Sequence, residues 1–245
     1  MGQGGITFDF HDTLARCDRW FALETRELVA AFLGWQASER GEALDADVQD
    51  DARAAYRRLR LSIIADGREQ DAASCVALVL AELGRPVDHE EIARALARLM
   101  RESFDGDVRP MPGAAATVAA LAAEGIPLGI VSSAVYPPFL AWTLQRFGLD
   151  GHFGAVVTSA DAGYYKTCPE IYDLAAERLG IDPALSVHVG DSHRFDVLGA
   201  RRAGMRTVWV RGEQGDPDGG VRSDLVTPTL EGQAEPLMSL LARAS

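Results

Sequence analysis

Five short apolar runs rich in β-branched residues constrain this chain more than anything else in it: 5–9 (GITFD), 127–132 (PLGIVS), 154–158 (GAVVT), 186–190 (SVHVG) and 206–210 (RTVWV). Each has the length of a buried strand and little polar interruption, as strands of a parallel sheet covered on both faces do. Between the later runs lie helical patterns at about 113–124, 137–147, 169–180 and 196–203, with Gly125, Gly148, Gly180 and Gly204 placed to end them. A repeating strand and helix unit predicts an α/β fold, an open parallel sheet with helices on both faces.

The first two runs are separated by more than a hundred residues with no comparable strand. Residues 18–34, 46–64, 70–84 and 89–104 read as amphipathic helices, with breaks at Gly67, Gly84 and Pro86. A small all-helical domain over 17–105 is therefore expected to be inserted into a core made of 1–16 and 106–245. After Gly212 the chain reads as a loop through GEQGDPDGG, then as a last helix near 231–243.

Composition removes several function classes. The net charge of -12 would repel a polyanion, so nucleic acid is not an expected partner. No apolar run reaches the ~18–20 residues of a membrane span, and the start MGQGGITFDFHDTL lacks a basic, apolar leader, so no membrane partner and a cytoplasmic location are expected. Cys17, Cys75 and Cys168 are odd in number and widely spaced, which suggests reduced thiols. Among 24 basic residues, Lys166 is the only lysine, a candidate for a place that needs a compact ammonium and not a planar fork.

In open α/β sheets, ligands bind at the carboxyl ends of the strands, near the point where strand order reverses. There the sequence places Asp9-Phe10-His11-Asp12-Thr13-Leu14, Ser132-Ser133 and Gly190-Asp191, with Asp196 five positions on and Lys166 just before a helix. This set suits phosphoryl transfer. Asp9 can act as a carboxylate nucleophile. Asp191 and Asp196 offer hard oxygens to Mg²⁺. Lys166 can offset the repulsion between Asp9 and an anionic substrate, while Ser132 holds phosphoryl oxygens.

Those residues resemble the motifs of the haloacid dehalogenase-like superfamily, in particular its phosphatases with a helical cap inserted after the first strand. Asp9 to Leu14 is similar to the first motif, D-x-D-G-T-L; Ser132 matches the second; Lys166 within GYYKTCPEIY resembles the third. VGDSHRFDVLGARRAG, with Asp191 and Asp196, resembles the acidic fourth motif, and Pro112-Gly113 resembles the usual entry to the helix before the second strand. The resemblance implies a Rossmannoid core and Mg²⁺ as cofactor, bound by Asp9, the backbone carbonyl of His11, Asp191 and, as a further candidate, Asp196. It implies Asp9, His11 and Lys166 as catalytic residues and Ser132, Ser133 and Lys166 as phosphate binders. The substrate it implies is a small phosphorylated metabolite, hydrolysed by a monomer or homodimer.

The chain departs from the pattern at His11, where phosphatases of the family carry the aspartate that protonates the leaving group and activates water. Imidazole can take a proton near neutral pH, but a positive charge ~6 Å from a divalent ion at an effective dielectric of ~20 is opposed by about 5 kcal/mol. His11 is accordingly expected to be a better base than acid. Asp12 is expected to point elsewhere, by alternation along an extended chain. Two alternatives follow: a binding or regulatory protein impaired in turnover, or a hydrolase of a non-phosphate group, as in dehalogenases, although those lack the acidic fourth motif. Phosphonate-cleaving relatives need a cap lysine, and this cap has none. Arg57, Arg58 and Arg60 read mainly as a solvated helix face that could also meet a substrate anion. His193 and Arg194 are equally suited to substrate contact and to a solvated loop, and His89, His152 and His188 read as structural.

Overall fold

A computed structural model of the chain describes residues 2–211 and 221–243. The sequence's loop at 212–220 lies outside these described residues. The central strand β1 (Ile6–Phe8) is followed by a short strand β2 (Ala15–Arg16). Helices α1 (Asp18–Ala22), α2 (Leu28–Glu39), α3 (Ala46–Asp66), α4 (Ala72–Glu82) and α5 (His89–Asp107) come next, with a π-helical turn at Leu23–Glu27. Strand β3 (Arg109–Pro110) then pairs antiparallel with β2, so both ends of the helical insertion pass through one two-stranded neck.

The remaining chain alternates: α6 (Ala114–Ala123), β4 (Leu128–Ser132), α7 (Pro138–Arg146), β5 (Ala155–Thr158), α8 (Ser159–Ala162), α9 (Glu170–Leu179) and β6 (Val187–Gly190). It ends with a π-helical turn (His193–Val197), α10 (Leu198–Arg202), β7 (Arg206–Val210), β8 (Leu225–Thr227) and α11 (Ala234–Ala242). The sheet runs β5-β4-β1-β6-β7-β8, and every neighbouring pair is parallel. Order therefore reverses at β1, between β4 and β6. Asp9 and Asp191 leave the sheet at that reversal, where a crevice opens.

Alternation along the strands sends side chains to two faces. Phe8, Ile130, Val189 and Val208 pack in one apolar cluster with α6, α7 and α11, and Val131 and Val157 pack in the other with Ile171, Tyr172 and Ala175 of α9 and Ala200 of α10. Both faces are covered, as the unbroken apolar runs require.

The cap helices start on aspartate caps. The side chains of Asp45, Asp71 and Asp88 accept from the N–H groups of Asp47, Ser74 and Glu91, which satisfies donors a helix leaves free at its first turn. Gly67 ends α3 at φ 75°, and a Cβ there would lie 2.1 Å from the Cys168 sulfur. Arg68 also bridges to Tyr164, so the end of α3 rests on the segment that carries Lys166.

Several boundaries move. The first cap helix continues past 34 to Glu39, but with a π-helical turn within it, and α5 runs to Asp107. The helix expected at 196–203 begins as a π-helical turn, because Asp196 bonds back to the Ser192 N–H. Strands β2, β3 and β8 carry no run long enough to read.

Candidate active site

The turn after β1 is not extended. The Phe10 carbonyl accepts from both Leu14 and Ala15, and the Asp12 N–H donates to the Ala15 carbonyl. This coil puts Asp12 at φ 57°, the left-handed region that favours glycine, and glycine is what the D-x-D-G-T-L pattern carries there. Alternation consequently fails as a guide at this turn. Asp12 does not point away; it lines the same cavity as Asp9, and its Oδ2 lies 3.5 Å from the Nδ1 of His11.

Lys166 is 2% exposed and sits between two carboxylates, donating to Asp9 Oδ1 and, at 2.7 Å, to Asp196 Oδ1. Both oxygens of Asp196 are engaged: His188 Nε2 lies 3.1 Å from the same Oδ1, and the Ser192 N–H donates to Oδ2 at 2.8 Å. Gly190 permits this close approach, since a Cβ there would fall 2.2 Å from the Asp196 carboxyl carbon. His188 is itself completely buried, its Nδ1 2.9 Å from the Thr7 hydroxyl. Thr7, His188, Asp196, Lys166 and Asp9 thus form one buried polar chain running from the sheet to the crevice.

Charge is distributed unevenly along it. Burial alone would raise Asp196, but Lys166 and the His188 hydrogen bond hold it below the usual carboxylate range. Burial, only partly opposed by Lys166, lifts Asp9 to about 6. Asp191 is pushed up to about 9, by burial first and then by the charges of Asp9 and Asp196. Burial opposes the charge on Lys166, yet its two carboxylate partners outweigh that and keep it firmly protonated.

Carboxylate oxygens of Asp9, Asp191 and Asp196 lie within 4.8 Å of one another. Three acids so close, with one ammonium and one of them barely able to ionise, form a donor set suited to a hard divalent cation. Asp196 has its oxygens occupied by Lys166, His188 and Ser192, so Asp9 and Asp191 are the carboxylates better placed to bind an ion.

The cavity, of about 310 Å³, brings together Asp9, His11, Ser132, Ser133, Lys166 and Asp191. The imidazole of His11 is half-buried against the cap, where desolvation lowers its pKa despite the nearby Asp12 and Asp18. Neither His193 nor Arg194 lines this cavity, and His193 Nε2 instead meets the Val221 carbonyl at 2.9 Å. Arg60 corrects the reading of its cluster as a solvated face. Its side chain turns inward to a buried ion pair with Glu69 and lines the cavity, whereas Arg58 pairs with Glu82 at the surface.

Sequence reasoning missed Glu24, which is 3% exposed and lines the cavity from the cap. Its signal was present: Trp20, Glu24 and Leu28 fall four residues apart on one buried helical stripe, where an acid breaks the apolar pattern.

Residues 4–204 match the sequence model of the haloacid dehalogenase-like hydrolases. A glyceraldehyde 3-phosphate phosphatase of Methanothermobacter thermautotrophicus is 36% identical over 107 residues, 43% of this chain and 46% of that protein. A phosphoglycolate phosphatase of Escherichia coli K12 is 36% identical over 131 residues, 50% of this chain and 51% of that protein. The chain spans about half the length of these curated relatives. A solved HAD phosphatase from Thermococcus onnurineus superposes with a TM-score of 0.61 at 26% identity, over 96% of this chain and 98% of that one. A 2-haloacid dehalogenase from Pseudomonas syringae pv. Tomato DC3000 gives 0.70 at 22% identity, over 99% and 100%, a likeness of fold alone. Among the described residues, no helix is long and apolar enough to cross a membrane.

Proposed function

The chain belongs to the haloacid dehalogenase-like hydrolases, and we propose that within this family it is a phosphatase that cleaves a small phosphomonoester through an aspartyl-phosphate on Asp9. The observation that carries this reading is the placement of Asp9: at the carboxyl end of the central strand, bonded to Lys166, facing a cavity lined by Ser132, Ser133 and Asp191. The phosphatases among the curated relatives support the same reaction class.

Asp9 and Asp191 would hold Mg²⁺ with the His11 carbonyl, which takes no part in the hydrogen bonds that close the turn. Bound there, the ion would supply positive charge that lets an anionic carboxylate and an anionic phosphoryl group meet.

In the first half-reaction the Asp9 carboxylate attacks phosphorus, the aspartyl bond to phosphorus forms, and the ester oxygen leaves with the bonding pair. Lys166 compensates the negative charge gathered around Asp9, and Ser132 and Ser133 orient the phosphoryl oxygens. Asp196 and His188 keep Lys166 in place from below, so that the ammonium is aimed before substrate arrives. In the second half-reaction water attacks phosphorus, its proton passes to the neutral His11, and Asp9 and inorganic phosphate are released. With its pKa lowered by burial, His11 suits accepting that proton better than protonating an alkoxide.

The test is phosphate release from an aryl phosphate by the purified protein with Mg²⁺ and with chelator. Metal-dependent release supports the reading, and Asp9→Asn is expected to abolish it. A dehalogenase would release halide from a haloacid without the Asp191 carboxylate. A binding protein would release neither product.

A further inference from the structure

Beyond Asp9 and its polar partners the cavity wall is largely apolar, and much of it is aromatic. Phe21 of α1, Ile64 of α3, and Tyr165 and Phe195 of the core line it. Phe21 is 42% exposed, although its ring is stacked on His11. A lone exposed apolar side chain is ordinary at a surface, but this one opens into a cavity beside the nucleophile. Ile64 and Phe195 are half-buried and keep apolar surface open as well. Tyr165 and Phe195 meet edge to face at 5.3 Å, and the Arg60 guanidinium lies 5.6 Å over Tyr165, so the core rings are held in place.

Polar groups along that wall are already engaged or out of reach. The Thr25 hydroxyl donates to the Phe21 carbonyl at 2.7 Å, and Glu24 and the Trp20 indole N–H are buried behind the surface. Arg60 and Lys166 are the only arginine or lysine lining the cavity among the described residues. Lys166 is held by Asp9 and Asp196, and Arg60 grips Glu69 through two nitrogens, at 2.6 and 3.1 Å. A leaving group rich in hydroxyls, or one with a carboxylate, would give up its water for a wall that returns few bonds, and each unpaired polar atom costs free energy. An apolar ring sheds its water without that cost.

We propose that this wall selects the leaving group of the substrate, and that the group it takes is an aromatic ring in preference to a sugar, a polyol or a carboxylic acid. This rests on the phosphatase reading above and narrows it to a substrate class. Phe21 is the specificity-determining residue, because its exposed surface is what a ring can cover in the offset or edge-on arrangements that aromatic pairs prefer. At about 310 Å³ the cavity sits at the lower end of the range for small-molecule sites, which suits a phosphoryl group with a single-ring substituent.

The experiment compares phenethyl phosphate with glycerol phosphate. Both leave as aliphatic alkoxides, so the comparison reads recognition and not leaving-group acidity. Wild type is expected to favour the phenethyl ester in kcat/KM by about ten-fold, the upper end of what one aromatic contact contributes, and chiefly through KM. Phe21→Ala is expected to remove most of that preference, and Phe21→Tyr, which keeps the ring, to retain it. Losing the stack on His11 changes the chemistry of both esters alike and drops out of their ratio. Calorimetric titration of the two esters, and of cyclohexylethyl phosphate, into Asp9→Asn reads the preference without turnover. Tighter binding of phenethyl phosphate there, with no ester hydrolysed by wild type, would overturn the phosphatase reading and leave the ring site standing. Equal or tighter binding of glycerol phosphate, a preference unmoved in Phe21→Ala, or a saturated ring bound as tightly as the phenyl would overturn the selection proposed here.

Discussion

The imidazole of His11 lies flat on the phenyl ring of Phe21, with centroids 4.2 Å apart and planes 9° from parallel. A residue of the core turn is thereby clamped by the first helix of the cap. The stack fixes the ring with Nδ1 toward Asp12 and leaves Nε2 buried without a partner. Burial favours the neutral imidazole and outweighs the pull of the Asp12 carboxylate, which bears on which substrates can leave.

A neutral His11 can activate water but protonates a departing alkoxide poorly. Aryl phosphates, whose leaving groups need no proton, should therefore react much faster than alkyl phosphates. His11→Asp restores the acid of the family pattern and should raise alkyl turnover relative to aryl turnover, by up to the ~10²–10⁴-fold that general acid catalysis contributes. The check is the alkyl to aryl ratio of kcat in the two proteins. Equal rates on both classes in wild type would mean that the proton already has a competent donor.

Lys166 bridges two carboxylates in a space with 2% exposure. Lys166→Arg should be nearly as damaging to kcat as Lys166→Ala, because a planar fork does not fit where a compact ammonium does. The alanine variant should also lose stability, by about 3–5 kcal/mol for uncompensated buried charge. Chemical denaturation alongside kinetics reads both effects; wild-type kinetics in the arginine variant would contradict the assignment.

Asp191→Asn retains shape but removes one potential carboxylate ligand from the three-acid cluster. The Mg²⁺ concentration needed for half-maximal activity should rise by at least the ~10- to 100-fold that losing even an outer-shell partner costs. Calorimetric Mg²⁺ titration provides the comparison without substrate. An unchanged requirement would remove Asp191 from the metal site.

Glu24 gives a pH signature in stability. Burial raises its pKa from 4.5 to about 8. Between those values the folded state holds a proton that the unfolded state has lost, so stability falls as pH rises through this window. Glu24→Gln abolishes the contribution. Its denaturation midpoint should gain on wild type from pH 5 to pH 8, and an unchanging difference between the two would show that Glu24 is ionised in the fold.

How much of this was legible in the sequence depends on burial. The five strands read from it lie in apolar runs covered on both faces. Strand β8 was not readable, since it forms the edge of the sheet and Val226 is half exposed. Asp9, Ser132, Lys166 and Asp191 could be gathered because strand ends and a lone lysine mark them. Asp12 could not be placed, because its position depends on a coiled turn and not on strand alternation. The inward turn of Arg60 depends on Glu69, nine residues on and outside the helix that carries the arginine, so helix periodicity had no means of showing it.

The account's central claim is that Asp9 carries the phosphoryl group, and the intact-protein mass of His11→Ala, quenched in acid during turnover of an aryl phosphate, tests it most directly. Without the base that activates water, the intermediate should accumulate, visible as the mass of one added phosphoryl group located on the peptide containing Asp9 and absent from the Asp9→Asn double variant. Wild-type protein that releases phosphate while the His11→Ala variant stays unmodified, or carries the group on another residue, would contradict it.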